Sequence, residues 1–212
     1  MAHLPVLLMS SIIFIRSLWV DTGDFKLVKH DQAISLYERW IPGSNGDNVR
    51  EIKAVFFVKT EIPAVIGLFR DQARGKAWNT NASEYKIVPA PQTTNWITYI
   101  RYDIPWPVDD QDCLLLYQYH ALSGSDAAEV AFESIADSRF PLYNKTTRIT
   151  GTRGKWLIEP AAPGELKITY LVTTDRSRRI PRWVSDPIIH DNLFRTMSKF
   201  RGLLENKVYV KQ

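Results

Sequence analysis

The side chains best suited to metal binding or acid–base chemistry are few and scattered in this chain. The four histidines, His3, His30, His120 and His190, share no ligand spacing, whereas zinc sites and histidine-based catalytic sites need partners at characteristic separations. The single cysteine, Cys113, excludes an intramolecular disulfide and a cysteine zinc site, and we interpret it as a small core residue. These residues therefore predict no catalytic group, no metal site and no cofactor.

Three aspartates, Asp109, Asp110 and Asp112, are crowded into one short segment. Carboxylate oxygens are ligands that calcium prefers, but the segment lacks the glycine and the closing glutamate of an EF-hand loop. We therefore interpret these carboxylates as turn-forming, solvated side chains. Glycosylation sequons begin at Asn81 and Asn144, and they have meaning only in a eukaryotic secretory context.

The composition is that of one globular domain. Of the 212 residues, 45% are hydrophobic and 12% are aromatic, which is enough for one large core and equally for the wall of an apolar cavity. The net charge of +4 slightly favours an anionic surface. Because the one arginine cluster, at positions 176, 178, 179 and 182, has no nucleic-acid motif beside it, we expect a solvated loop there. We expect a monomer that binds no nucleic acid.

Alternating polar and apolar residues predict a large sheet. Within residues 49–60 the apolar side chains Ile52, Ala54, Phe56 and Val58 occupy the even positions, which is the period of a strand with one buried face. Further strand-like runs cover residues 84–88, 96–102, 112–120, 129–135, 146–158 and 165–174. Their succession predicts an antiparallel meander.

Two segments have helical spacing instead. Residues 62–70 predict a short helix with Pro63 in its first turn. Near the C-terminus, apolar residues recur every three or four positions at Ile189, Leu193, Met197, Phe200 and Leu204. They predict an amphipathic helix over residues 186–205, with Asp186 as its N-cap and Pro187 at its first position. The elements together predict an α+β fold of a sheet and a terminal helix.

A stiff loop joins the strand-like runs at 96–102 and 112–120. Proline cannot donate a ladder hydrogen bond, so Pro105 and Pro107 confine the break in the sheet to this loop. Trp106 lies between them, and tryptophan favours the boundary between water and acyl chains. We name Pro105, Trp106, Pro107 and Val108 the gate loop, and we expect Trp106 to face a membrane at the mouth of a cavity. The alternative is that Trp106 plugs the end of the core.

Six short motifs, taken in order, resemble the START family of lipid-transfer domains. They are ISLYER at 34–39, REIKAVFFV at 50–58, Asp71 with Trp78, the PWP of the gate loop with Asp112, GKWLIEP at 154–160 and IPRW at 180–183. The resemblance covers residues 25–206. It implies the helix-grip fold of the START and Bet v 1-like superfamily, a curved antiparallel sheet closed by a long C-terminal helix around a hydrophobic cavity.

The resemblance implies a protein that binds a hydrophobic ligand, in the first place a lipid, transfers it between membranes and performs no chemistry. Alternatives are a helix-grip cyclase or aromatase and a ligand-sensing scaffold. Ligand access would require the gate loop and the helix at 186–205 to part. If family geometry turns Gln111 inward, the cavity wall comprises Thr98, Ile100, Tyr102, Gln111, Cys113, Leu115, Tyr117 and Tyr119, with Leu193 and Met197 from the helix.

One departure from the family pattern bears on the ligand. Sterol-binding members carry an arginine at the position of Gln111 and pair it with an acid inside the cavity. This chain has glutamine there and no acidic residue within 95–102. We therefore predict that the ligand is not a sterol.

The resemblance gives the N-terminus no place in the fold, so we assign residues 24–208 to the START-like domain and 1–23 to a separate signal-like or amphipathic segment. Residues 4–15 are apolar, too few to span a membrane and suited to a signal-peptide core. No lysine or arginine precedes them, and no A-x-A-like site precedes Asp24. An imperfect export signal, a misassigned start codon and an amphipathic helix stay open, and we favour export to the periplasm or beyond over a cytoplasmic location.

Overall fold

Ten strands and three helices make up the described part of the chain, which in this computed structural model comprises residues 24–43, 46, 48–90, 92–104, 109–174 and 182–208. In chain order they are β1 (Lys26–His30), β2 (Ile34–Pro42), β3 (Asn48–Lys59), α1 (Ile62–Phe69), α2 (Gln72–Trp78), β4 (Ala82–Pro89), β5 (Asn95–Tyr102), β6 (Asp110–Ala121), β7 (Ala128–Ser134), β8 (Thr146–Arg148), β9 (Arg153–Ala162), β10 (Glu165–Thr173) and α3 (Arg182–Val208).

The strands form one sheet in the order β1-β2-β3-β10-β9-β7-β6-β5-β4, and every pairing along this path is antiparallel. The predicted antiparallel sheet with a C-terminal helix is confirmed, but the simple meander is wrong. After β3 the chain runs through α1 and α2 to the far edge of the sheet at β4, which leaves one edge of β3 without a partner. The returning strand β10 pairs with that edge, because exposed backbone groups of a central strand need hydrogen-bond partners.

One face of the sheet packs against the helices, and we name it the inner face. On β3 the even residues Ile52, Ala54, Phe56 and Val58 are buried there, whereas Phe57 is 47% exposed on the opposite, outer face. The alternation predicted for residues 49–60 is therefore confirmed. α3 lies over β1, β2 and β3, and α2 lies against β4 and α3, so the helices and the inner face together enclose an interior.

The C-terminal helix is longer than its sequence signals predict. α3 begins at Arg182, so Asp186 is not its N-cap and Pro187 lies inside it. A proline near the start of a helix removes only one intrahelical hydrogen bond, because it lacks an N–H, and the helix continues through it. The apolar stripe faces the sheet from Leu193 onward, with Met197, Phe200 and Leu204 buried, but Ile189, the first residue of the predicted stripe, is exposed.

Two further local predictions need correction. The run at 146–158 is two strands, because β8 pairs in parallel with β6 while β9 pairs with β7 and β10. Between them Gly151 has a φ of 66°, a left-handed conformation that glycine adopts without strain. The second helix, α2, was not predicted, because its sequence has no periodic signal. It begins at Gln72, and its N-cap is Asp71, whose carboxylate accepts a hydrogen bond from Arg74 N at 3.0 Å.

Several predicted features lie outside the described residues. They are the N-terminal segment 1–23, the gate loop at 105–108 and the arginines at 176, 178 and 179. Among the helices that the structure describes, none combines the length and the apolar character needed to cross a membrane.

Candidate ligand-binding interior

The predicted cavity wall on β5 and β6 lies on one face of the sheet. The register places Thr98 opposite Leu115, Ile100 opposite Cys113 and Tyr102 opposite Gln111, and residues that pair directly across strands share a face. This face is the inner one, because its side chains pack with those of β3 and α3 in the main core. Thr98, Ile100, Cys113, Leu115 and Tyr117 are buried, whereas Tyr102, Gln111 and Tyr119 are partly buried.

The helical side of the predicted wall faces the same interior. Met197 is buried against the inner face, and Leu193, one turn earlier, packs partly buried on the same core. The ten residues of the predicted wall therefore lie on two surfaces that face each other, the inner face of the sheet and α3. Whether these side chains contact a ligand stays a prediction.

A cluster of aromatic rings occupies the centre of the interior. Five aromatic rings surround Phe69 of α1. The distances from the Phe69 ring centroid to theirs are 5.0 Å for Trp156, 5.1 Å for Phe200, 6.1 Å for Tyr117, 6.2 Å for Trp78 and 6.3 Å for Trp96. These separations are typical of favourable edge-on and offset aromatic pairs. These six rings join three helices to three strands, and among them only Tyr117 was in the predicted wall. Trp96 could have been found by alternation, because it lies two residues before Thr98.

Buried hydroxyl and thiol groups provide the polar component of the interior. Burial raises the pKa of Tyr102, Tyr117 and Tyr170 above the usual range and raises the pKa of the Cys113 thiol to about 12. All four groups are therefore uncharged at neutral pH. The buried hydroxyl of Tyr85 differs, since it donates to the carbonyl oxygen of Phe69 at 3.0 Å.

Charged side chains on the inner face lie at the β2–β3 side and contact each other. His190 Nε2 of α3 lies 3.1 Å from a Glu38 carboxylate oxygen, and the same oxygen lies 3.6 Å from Arg50 Nη1. Lys29 of β1 also pairs with Asp191 of α3. These polar contacts, rather than apolar packing alone, hold the N-terminal half of α3 against β1 and β2.

The interpretation of Asp112 as a solvated turn residue is wrong. Its carboxylate is completely buried on the outer face and accepts hydrogen bonds from Arg148 Nε at 2.6 Å and Nη2 at 2.8 Å. Asp110 also has a defined role, because it accepts from Arg101 Nη2 at 2.8 Å and from Ile104 N at 3.2 Å. Both aspartates therefore fix the strand ends from which the gate loop departs, and the described residues contain no metal-binding group of three or more His, Cys, Asp or Glu.

Two of the open grooves that the described residues form lie away from the space between the sheet and α3. The larger, about 580 Å³, lies on the outer face and is lined by charged side chains that include Glu129 and Lys155, which pair at 2.9 Å. The smaller, about 380 Å³, lies beside Arg70 and Trp96 at the end of β5. The ligand-binding cavity that we predict between the sheet and α3 is therefore separate from both grooves.

An antiparallel sheet that holds a C-terminal helix across its inner face defines the helix-grip class of proteins. Within that class, the chain matches the START domain family over residues 17–208 and belongs to that family. The resemblance found in the six sequence motifs is thereby confirmed.

Known proteins agree with this assignment. A STAR-related lipid transfer protein from Xanthomonas axonopodis (fragment 25–204) has a TM-score of 0.74 and 25% identity, over 86% of this chain and 99% of that one. Human StAR-related lipid transfer protein 5 has a TM-score of 0.69 at 14% identity, over 88% and 89% of the two chains. An uncharacterized protein of Pseudomonas aeruginosa is 24% identical over 186 residues, which is 87% of this chain and 88% of its own.

An enzyme shares this fold. The Zhui aromatase/cyclase from Streptomyces sp. R1128 has a TM-score of 0.53 at 8% identity, over 76% of this chain and 96% of that one. At this identity the likeness shows the fold alone.

Proposed function

We propose that this START domain binds a lipid between the inner face and α3 and carries it between membranes without altering it. The observation that carries the proposal is the interior itself. Side chains of β5, β6, β9, β10 and α3 form one apolar cluster whose polar groups are uncharged hydroxyls, a thiol and indoles. Such a surface suits a ligand with a long hydrocarbon body, because burial of apolar area is the dominant favourable contribution to its binding.

The surface of α3 supports membrane contact. Ile188 is 55% exposed and Ile189 is 39% exposed in the half of α3 that Lys29 and Glu38 hold. Exposed apolar side chains at a helix surface can insert at the boundary between head groups and acyl chains. We infer that α3 moves away from β1 and β2 at the membrane, which would open the interior.

Ligand binding is tested with purified, delipidated protein mixed with vesicles of mixed bacterial lipids. After separation, native mass spectrometry should detect a one-to-one lipid complex. Leu193→Lys, which places a charge in the interior, should reduce loading per folded molecule about tenfold or more, because a charged group is costly to bury without a partner. Ser198→Lys, on the exposed side of the same helix, is the matched control and should load normally.

Transfer is tested separately by the rate at which fluorescent lipid moves from donor to acceptor vesicles. Ile188→Ser/Ile189→Ser should slow transfer while leaving loading intact. Phe57→Ser, an equally exposed residue on the outer face, should not slow it. Empty protein after exposure to vesicles would refute lipid binding, whereas loaded protein that never accelerates transfer would refute the carrier role.

The same samples test the enzymatic alternative. Lipid extracted after prolonged incubation should have an unchanged mass and fragmentation pattern. A new mass that accumulates with time and protein concentration would favour a cyclase-like activity over carriage.

A further inference from the structure

Three tryptophans in the interior have unused hydrogen-bond donors. Trp78, Trp96 and Trp156 are only 2–3% exposed, and none of their indole N–H groups has an acceptor among the described residues. An indole nitrogen can only donate, and buried donors without partners are rare because each forfeits its hydrogen bond to water. The interior therefore lacks acceptors at these three positions.

The three donors are gathered in one region. Trp78 comes from α2, Trp96 from β5 and Trp156 from β9, yet all three rings pack on Phe69. Phe200 of α3 closes the same cluster, with its ring centroid 5.0 Å from those of Trp78 and Trp156. One ligand between the inner face and α3 could thus reach more than one of these donors.

Two tyrosine hydroxyls extend the donor set. The Tyr117 ring stacks on Trp96 at 5.2 Å with an interplanar angle of 2°, and the Tyr170 ring lies 4.5 Å from Trp156. Within the described part of the chain, neither hydroxyl has a hydrogen-bond partner, in contrast to Tyr85, whose hydroxyl bonds the Phe69 carbonyl. Both hydroxyls stay protonated because burial raises their pKa, so they can donate.

One cation borders this region. The exposed Arg70 guanidinium lies 4.5 Å from the Trp96 ring centroid and donates to the carbonyl oxygen of Thr93. The buried carboxylates of Glu51 and Asp112 lie on the outer face and pair with Arg39 and Arg148, and the inner-face carboxylate of Glu38 contacts Arg50 and His190. A charged ligand group placed deeper, beside Trp156 and Tyr170, would therefore be buried without an ion-pair partner among the described residues, which is strongly unfavourable.

We propose that the interior selects an uncharged lipid whose buried part carries acceptor oxygens, namely an ester or a ketone, and that the indoles of Trp96 and Trp156 and the hydroxyls of Tyr117 and Tyr170 donate to those oxygens. Free fatty acids and anionic head groups are rejected from this region. This inference rests on the proposed function, because it specifies the chemistry of the lipid that the START domain binds.

The test compares three probes of equal chain length, which are methyl palmitate, palmitic acid and hexadecane, each delivered from cyclodextrin to delipidated protein at pH 7.5. The ester should bind about tenfold more tightly than either of the others, the ratio that ~1.4 kcal/mol represents. In protein labelled with ¹⁵N-tryptophan, the indole N–H signals of Trp96 and Trp156, assigned with Trp96→Phe and Trp156→Phe, should move downfield with the ester and not with hexadecane.

Isosteric variants test which tyrosine hydroxyls donate a hydrogen bond to the ester. Tyr117→Phe and Tyr170→Phe should reduce the preference for the ester over hexadecane about threefold or more each, since one neutral hydrogen bond is lost. Tyr99→Phe is the control, because Tyr99 is a buried tyrosine that lies on the outer face, and it should keep the full preference.

The outcomes separate the two proposals. Equal binding of the three probes, a preference for palmitic acid, or unmoved indole signals in the ester complex would overturn the donor assignment and leave lipid binding intact. Failure of all three probes to bind would overturn both proposals.

Discussion

Removal of the Arg148 side chain should destabilise the protein more than its place on a three-residue strand suggests. The guanidinium donates to both carboxylate oxygens of the buried Asp112, at 2.6 and 2.8 Å, and to the carbonyl oxygens of Phe140 and Pro141 at 3.2 and 3.3 Å. It therefore links β6 to the segment around Phe140, which packs on the outer face. Arg148→Met keeps the apolar stem of the side chain and removes all of these hydrogen bonds.

The two members of the pair are not equivalent. The Arg148 side chain keeps 12% of its exposure, whereas Asp112 keeps none. Loss of the arginine leaves a buried, uncompensated carboxylate, for which we expect a decrease in the free energy of unfolding of about 3–5 kcal/mol. Asp112→Asn retains an acceptor oxygen and leaves a guanidinium that still reaches water, so its expected cost is smaller, about 1–3 kcal/mol.

Urea unfolding at pH 7, followed by tryptophan fluorescence, measures both costs. The double variant Asp112→Leu/Arg148→Met should recover most of the loss, because a buried ion pair can be replaced by apolar side chains at little cost. The control is Arg139→Met, which breaks the exposed pair with Asp137 in the same segment and should barely move the midpoint.

The reasoning fails if Arg148→Met costs less than about 1 kcal/mol, the value expected of a solvated pair. It also fails if the double variant costs the sum of the Asp112→Leu and Arg148→Met single variants. Additivity would mean that the two side chains act independently.

Four further outcomes are expected. Stability should be level between about pH 7 and pH 9 and should fall at higher pH, seen as a lower urea midpoint. Burial raises the folded pKa of Cys113, Tyr117 and the other interior tyrosines above their unfolded values of 9.0 and 10.0. The unfolded chain therefore loses its protons first, and each group contributes about 1.4 kcal/mol per pH unit. Gly154→Ala should cost about 1–3 kcal/mol in the same assay, since an added Cβ would lie 2.1 Å from the Leu171 carbonyl oxygen and 2.6 Å from the Phe132 ring, whereas Gly202→Ala, with open space around it, should be neutral or stabilising. Trp106→Ala should slow lipid exchange with vesicles and leave the melting temperature nearly unchanged, and a large loss of stability with normal transfer would identify Trp106 as a core plug. A fluorescent sterol should bind more weakly than a fluorescent diacyl lipid, and tight sterol binding would contradict the inference drawn from Gln111.

Local patterns predicted the parts of the site that depend on strand and helix periodicity. Thr98, Ile100 and Tyr102 alternate with residues of the outer face, and a half-buried strand imposes that alternation directly on the sequence. Leu193 and Met197 were found for the same reason, because the stripe of α3 repeats with the helical period. These residues could be assigned to one face without knowledge of what lies opposite.

Contacts between distant segments could not be predicted in this way. Asp112 looks like a turn residue until Arg148, 36 positions later, is brought beside it. Trp78 and Trp156 became neighbours, at 6.4 Å, only through the packing of α2 across the sheet. The start of α3 was placed too late, because the local cap signal at Asp186 and Pro187 does not mark the helix start, which lies at Arg182.

The position of β10 has a consequence for how the protein is made. β10 is the last strand in the chain, yet it fills the gap between β3 and β9 in the middle of the sheet. Until it is synthesised, β3 presents an unpaired edge and an apolar face, the features that expose a nascent chain to aggregation and chaperone binding. Pairing across such sequence separations is slow to nucleate. The sheet can therefore be completed only after synthesis has passed Thr173, and the interior can close only once α3 has followed.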